Sequence, residues 1–554
     1  MTKIKQTQIG KIPEDWEVVK LSDIGEILTG TTPSTKVKEY WGKGYQFVTP
    51  TDFSESKYVH TTERYVTQKG AKKARLIPKD SVMVTCIASV GEVSMALKEC
   101  ITNQQINTIV CDKEINPHYV YYVMVVRKKI LKRWAGITTS PIIKKSLFEK
   151  FLIPLPPFPE QKGIVQILSI VDEAIQKSYE IITKTEKLKK GLMQELLTKG
   201  VINGFMFDTT VFGNILDKKI DINKFPKKFD YYITHIQPDE LNKIKDKERK
   251  KKLFRFFKEI IREELPTENF VLNYSKLGKA RLGNGKILEE LRKGNLKHTE
   301  DSLIGETAIK QGLILITNDR TLLNRVKALN GQAISIEQFL RGKYKEFKET
   351  ELGKIPKDWE VVELKDIGVF QYGYTTSSKE ENTGIKFLRI TDIKDDGIVA
   401  WSDVPYCELD SKNYGKYELH EGDILFARIG ATSGKTCYID HKVKGIFASY
   451  LIRFQPKINV HTKFIYYYTQ SNIYWFQAFR KREGQLKKGM NANTLSQLKI
   501  PLPPLLEQQR IASILTKIDK KLELERKRKE KFKRIKKGLM NDLLTGNKRI
   551  KFRG

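Results

Sequence analysis

Four acidic residues, Asp208, Glu240, Asp301 and Asp319, propose the most definite chemistry in this chain of 554 residues. Asp208 follows the apolar run GFMF, Glu240 lies in THIQPDEL just after YYIT, and Asp319 follows LILITN. Asp301 begins the stretch TEDSLIGETAIKQG, which leads into that last run. If the apolar runs are strands of an open parallel sheet, their carboxyl ends form one crevice, and acids distant in sequence meet there. Grouped carboxylates raise one another's pKa unless a cation neutralises them. Oxygen ligands of this kind suit Mg²⁺ or Mn²⁺, which activate water and clamp a scissile phosphate. The predicted catalytic set is therefore all four acids, Asp208, Glu240, Asp301 and Asp319. Asp239 and Glu300 are adjacent alternatives to Glu240 and Asp301. The plainer reading is that each acid caps a helix or sits on a solvated turn.

A second group has the chemistry of a nucleic-acid reader. Thr31, Thr32, Gln104 and Gln105 lie near the N-terminus, and Tyr374, Thr375, Arg389, Arg428 and Lys435 lie in the last third. Arg, Lys, Asn and Gln read base edges, while hydroxyls and amides hold phosphates. The same residue types are also common in ordinary loops. Charge favours the reader: 100 Lys and Arg against 66 Asp and Glu give a formal +34, so a polyanion, nucleic acid first, is the expected partner. Five cysteines without CxxC spacing indicate neither a disulfide framework nor a zinc site, and a reducing cytoplasm fits. No apolar run has membrane-span length and the N-terminus lacks a signal-peptide core, so no membrane is expected.

The elements that must position these residues occur twice. FLIPLPPFPEQKGIVQILSIVDEAIQ begins at 151, and LKIPLPPLLEQQRIASILTKIDKKLE begins at 498. Pro154 aligns with Pro501, Glu160 with Glu507, Asp172 with Asp519 and Gly191 with Gly538, without a gap. Proline keeps IPLPP extended, and a helix starts after it. Apolar residues recur at steps of four and three, as in Ile164, Leu168, Val171, Ile175 and again Ile511, Leu515, Ile518, Leu522, which is a coiled-coil seam. Roughly forty helical residues make a rod of about 60 Å, close to two turns of duplex, and two such rods can pair antiparallel as a ruler hinged at the IPLPP segments. A second duplicated frame precedes each rod: GKIPEDWEVVKLSDIG from 10 and GKIPKDWEVVELKDIG from 353, with Trp16 matching Trp359 and Gly30 matching Gly373. Between frame and rod the sequence varies, with β-rich runs such as Val82–Ile87 and Ile424–Ile429 among polar turns.

The doubled pattern GKIPxDWEVVxLxDIG…IPLPPxxEQxxI…KKGLMxxLLTG resembles the specificity subunit of a type I restriction-modification system. The resemblance implies two α+β target-recognition domains joined by long antiparallel coiled-coil helices, each domain binding half of a split double-stranded DNA target. It also implies that methyltransferase (M) and restriction/translocase (R) subunits are partners that carry the catalysis. Neither an NPPY-like methyltransferase motif nor a Walker A loop is present. The expected segments are 1–153 (first recognition domain), 154–202 (first spacer helix), 203–342 (an insertion), 343–500 (second recognition domain) and 501–547 (second spacer helix).

The insertion matches neither copy. Strands are expected at Phe205–Phe207, Tyr231–Thr234, Phe270–Asn273 and Leu313–Thr317, with a charged helix from Asp239 to Arg262, which suggests a parallel α/β sheet. The order D…E…DSLIGETAIKQGLILITND resembles a PIN domain, a family of metal-dependent nucleases. That resemblance implies metal binding by Asp208, Asp301 and Asp319 with Glu240 as a fourth acid. An alternative makes this insertion the main effector, a ribonuclease or nickase delivered by the DNA-recognition halves.

Overall fold

The computed structural model describes residues 3–550 apart from 137–140, 203, 218–219, 221–224, 228, 410, 431, 458 and 484–488. Its repeated frames are paired strands. Ile4–Thr7 forms a hairpin with Gly10–Pro13, and Glu17–Lys20 runs antiparallel to Leu152–Leu155 with Val18 opposite Pro154. The second copy repeats this, with Phe347–Thr350 on Gly353–Pro356 and Glu360–Glu363 on Lys499–Leu502. A two-stranded ribbon has free edges, so the prolines cost no ladder bond they would otherwise donate. The IPL part of each IPLPP segment is thus a paired strand, and only the two prolines after it, Pro156–Pro157 and Pro503–Pro504, lie between strand and helix.

Those helices are α1 (Phe158–Lys199) and α2 (Leu505–Leu544). Glu160 and Glu507 sit in their first turns, where the helix dipole favours a negative charge. Gly200, with φ +71°, ends α1 in the left-handed region, and a side chain there would strike the Glu507 carboxylate.

The chain divides into two compact units, 1–186 with 521–554, and 187–520, so each helix gives its first part to one unit and its last part to the other. In the first unit, Ile164 and Leu168 of α1 share a core with Met540, Leu543 and Leu544 of α2 around Trp16 and Tyr119. Asp172 pairs with Lys536 at 2.7 Å and Glu186 with Arg526 at 2.8 Å, an antiparallel register. In the second unit, Met193, Leu196 and Leu197 of α1 pack with Ile511 and Leu515 of α2 around Trp359, and Asp519 pairs with Lys189 at 2.6 Å. Lys189 and Lys536 hold the same place in the repeat, as do Asp172 and Asp519, so the ion pair is reciprocal. The seam is less apolar than expected, because Ser178 and Thr185 are the buried residues of α1 flanking Ile182.

Each recognition domain contains a four-stranded antiparallel sheet of one topology. Its order is Gly25–Thr29, Ile106–Cys111, Val82–Thr85, Val93–Met95 in the first domain, and Gly368–Tyr372, Leu451–Pro456, Ile424–Ala427, Thr436–Tyr438 in the second. A parallel pair accompanies each: Cys100–Thr102 beside the strand Trp41–Val48, and Gly445–Phe447 beside Lys386–Leu388. The first domain adds two more strands, Arg64–Val66 and Leu76–Ile77.

The middle region, within the second unit, is a five-stranded parallel sheet: β1 (Phe205–Phe207), β2 (Tyr231–Thr234), β3 (Ile261–Leu265), β4 (Ile314–Ile316) and β5 (Gln332–Ile334), in the order β3-β2-β1-β4-β5. Two expectations are corrected. Phe270–Asn273 is not a strand, and the third strand comes instead from IREEL, whose exposed Arg262 and Glu263 suit a sheet edge. The helix expected over 239–262 is two helices, Ile236–Asn242 and Lys247–Ile260, because Asp246 caps a fresh start by accepting from the Glu248 and Arg249 amides. No helix among the described residues is long and apolar enough to cross a membrane.

The ends of the middle domain lie side by side. Glu507 Oε1 accepts from the Val201 amide at 2.7 Å and from Lys345 Nζ at 2.6 Å. Excising 203–343 and joining Ile202 to Tyr344 should therefore leave the second recognition domain folded, with Trp359 fluorescence and thermal transition retained. Trp359→Ala, which empties a fully buried site, should cost about 3–5 kcal/mol, read as a lowered denaturation midpoint.

Candidate nucleic-acid interface and carboxylate crevice

Two loops meet in each recognition domain at a glycine. A Cβ on Gly30 would lie 2.1 Å from the Asn103 carbonyl, and one on Gly373 would lie 2.2 Å from the Ala448 carbonyl, so only glycine allows the loops to touch. In the first domain this brings four predicted residues together. Thr32 Oγ1 donates to Gln104 Oε1 at 2.7 Å, with both side chains exposed. Thr31 Oγ1 accepts from the Arg75 amide at 2.7 Å, and Gln105 Oε1 accepts from Asn103 Nδ2 at 2.9 Å. Sequence reading missed Arg75, whose guanidinium donates to the Thr29 carbonyl and which stands exposed beside these loops.

The second domain distributes its predicted residues differently. Tyr374 is half-buried against the Tyr417 ring, and Thr375 is exposed beside it. Arg428 lies over the Tyr372 ring, 5.0 Å from its centroid, and its amide donates to the Tyr450 carbonyl. Arg389 is committed to Asp392 through two contacts of 3.1 and 2.9 Å, and Lys435 to Asp395 at 2.8 Å. Tyr450, 56% exposed on the loop equivalent to Asn103–Gln105, was not anticipated. Its signal was only its place beside Gly373's partner loop.

In the middle domain the acids gather at the carboxyl ends of β1 and β4, where the strand order reverses. Asp208 is fully buried, and its Oδ2 accepts from Thr210 Oγ1 at 2.6 Å and Thr317 Oγ1 at 2.7 Å. Burial raises its pKa most, the two hydroxyls offset part of that, and Asp319 adds to it. Asp301 is pushed up to about 7, first by burial and then by the charges of Asp208, Asp319 and Glu300. Glu240 is raised by burial and by sharing a hydrogen bond with Glu300, which Lys243 holds at 3.0 Å. Asp239 instead pairs with Lys276, so Glu240 is the acid that faces the crevice. Asp319 also caps the helix Arg320–Ala328, accepting from the Thr321 amide at 2.7 Å. Asp208 Oδ1 and Glu240 Oε2 are buried without a hydrogen-bond partner. As the side chains stand, no three His, Cys, Asp or Glu among the described residues are placed to hold one metal ion.

Two domains of one topology, each with a glycine-tied loop pair, thus occur in a strongly basic chain, the pattern of a duplicated specificity module. The chain belongs to the family described as the type I restriction modification DNA specificity domain, matched over residues 13–187 and 356–534. Relatives in Methanocaldococcus jannaschii include the type I restriction enzyme MjaIX specificity subunit, 34% identical over 227 residues. That match covers 40% of this chain and 52% of the relative, about half its length. The MjaVIII specificity subunit is 24% identical over 98% of this chain and 95% of the relative. Among solved structures, the type I restriction-modification S subunit from M. genitalium aligns over 98% of each chain at 12% identity and a TM-score of 0.49.

The crevice makes a pH prediction. Asp301 has a raised pKa, so the folded state keeps a proton that the unfolded chain releases from about pH 4 upward. The stability tied to that proton is present at acid pH and lost as pH rises through about 7. In chelator-treated protein, Asp301→Asn should abolish this loss, so that the variant gains on the parent between those limits and stays ahead above them in thermal melts.

Proposed function

We propose that this chain is the DNA specificity subunit of a type I restriction-modification complex. It recognises a bipartite double-stranded target, one half through each recognition domain, and docks methyltransferase and restriction subunits that perform the chemistry. The observation that carries this reading is the duplicated frame, in which Trp16 and Trp359 each donate to the first-turn glutamate of a spacer helix at 3.0 Å. One scaffold thus presents two different loop pairs, Thr31, Thr32, Gln104 and Gln105 in one domain and Tyr374, Thr375 and Arg428 in the other. Hydroxyls, amides and a guanidinium are the groups that read base edges and grip phosphates. Apolar side chains left in solvent on the helices, Ile170 (62% exposed) and Leu524 (66%), support partner docking there.

Co-expression with the methyltransferase partner, followed by long-read methylation mapping, should reveal a split motif; absence of any split methylated motif overturns the reading. Gln104→Ala with Gln105→Ala should relax only one half of that motif and Arg428→Ala only the other, each weakening target binding by about 1–3 kcal/mol per lost base contact.

A second reading concerns the middle domain, as a PIN-like metal-dependent nuclease. Its support is the pair of buried carboxylate oxygens without partners, on Asp208 and Glu240, in a crevice of mutually repelling acids. Asp208, Asp301 and Asp319 do not stand ready to hold one ion, and only after side-chain rotation would they hold Mg²⁺ or Mn²⁺, which would supply charge neutralisation and water activation. Thr210 and Thr317 orient Asp208, and Lys243 holds Glu300 against Glu240. Asp208→Asn with Asp319→Asn should leave methylation intact and abolish Mn²⁺-dependent cleavage of RNA or nicking of DNA. Loss of every phenotype in that double variant would instead make the middle domain the main effector.

A further inference from the structure

The helix Lys247–Ile260 in the middle domain carries the sequence KERKKKLFRFFKEI, seven basic residues against two acidic in fourteen. Its apolar side is spent: Leu253, Phe256 and Phe257 are buried in the core beneath the sheet's aromatic cluster. At 100° per residue, Lys247, Lys251, Arg255 and Lys258 fall on the opposite side, spaced by four, four and three, and all are exposed. The acids nearby neutralise only Arg255 on this face. Asp217 is clamped by Arg249 at 2.8 and 3.0 Å, and Glu259 pairs with Arg255 at 3.2 Å. Lys247, Lys251 and Lys258 have no carboxylate partner among the described residues. Like charges at i, i+4 destabilise a helix in isolation, so the face carries a repulsion that a polyanion would relieve.

We propose that this helix face is a binding surface for single-stranded nucleic acid, separate from the loops of the two recognition domains. A membrane surface is disfavoured because Leu253, Phe256 and Phe257 are buried and Phe254 and Ile260 are themselves packed against the core, which leaves no continuous apolar face to insert. A single strand is favoured over a duplex because Phe254, packed on one side against Phe257 with centroids 5.9 Å apart, is only half-buried at the margin of the lysine row, and the remaining part of its ring can take an unpaired base. The inference deepens the second reading of the middle domain and rests on it only for the chemistry the strand would meet.

The test uses the full chain in the presence of EDTA and a labelled twenty-nucleotide oligothymidylate, with binding followed by anisotropy across a salt series. Lys247→Glu, Lys251→Glu and Lys258→Glu together should weaken binding about tenfold and lower the salt slope by about two, while affinity for a blunt DNA duplex changes less than twofold. The matching Lys→Arg triple variant should bind as the parent does, and a Lys→Gln triple should fall between if charge reversal perturbs folding. Unchanged oligothymidylate binding overturns the proposal, as does an equal loss for strand and duplex, or a loss confined to phosphatidylserine vesicles. Binding is read in EDTA, where no metal-dependent cleavage occurs, so failure of the nuclease reading and failure of this surface give different results.

Discussion

A buried hydrogen bond between an indole and a carboxylate, made twice, is the joint on which the rest of this structure depends. Trp16 reaches Glu160 and Trp359 reaches Glu507, tying each strand frame to the first turn of a long helix. Both carboxylates are almost fully buried, and a buried charge is tolerated only when it is paired and saturated with hydrogen bonds. In the first unit the cation is Arg549, which spans Glu160 and Asp15 with four contacts of 2.7–2.8 Å and holds the Asp15 carboxyl below its usual range. In the second unit the same office is filled by Lys345 and the Val201 amide.

That difference explains how a whole extra domain is accommodated. The chain leaves α1 at Gly200 and returns at Lys345, and both ends converge on one glutamate oxygen. An insertion whose ends are adjacent leaves the surrounding packing undisturbed. The reciprocal ion pairs Asp172–Lys536, in the first unit, and Asp519–Lys189, in the second, are accordingly both present. Tyr122 and Tyr467 close the same arrangement by donating to those aspartates at 2.6 and 2.7 Å, so each helix is read by a tyrosine of the recognition domain it carries.

The middle domain obeys a different logic. Its sheet is organised to bring acids together at the point where strand order reverses, and their shared field is visible in Asp301 and Glu240. Asp319 shows that a helix cap and a crevice acid need not be alternatives, since one oxygen accepts amide hydrogen bonds while its charge still acts on Asp301. Thr317 links the two strands' acids, receiving the Asp319 amide and donating to Asp208.

The sequence by itself determined the duplication, the existence and placement of both long helices, and three of the five strands of the middle domain with their acids, but neither IREEL nor Gln332–Ile334. These are local or periodic signals: proline fixes an extended segment, apolar spacing fixes a helix face, and a gapless repeat fixes equivalence. Only the tertiary structure decided what those segments do to one another. It paired the IPL part of each IPLPP segment as a strand, buried Ser178 and Thr185 along the helix seam, and tied up Arg389 and Lys435 while leaving Tyr450 exposed. The physical reason is that burial, ion pairing and close approach are made between residues far apart in the chain, and no local pattern encodes which partner a charged side chain will find.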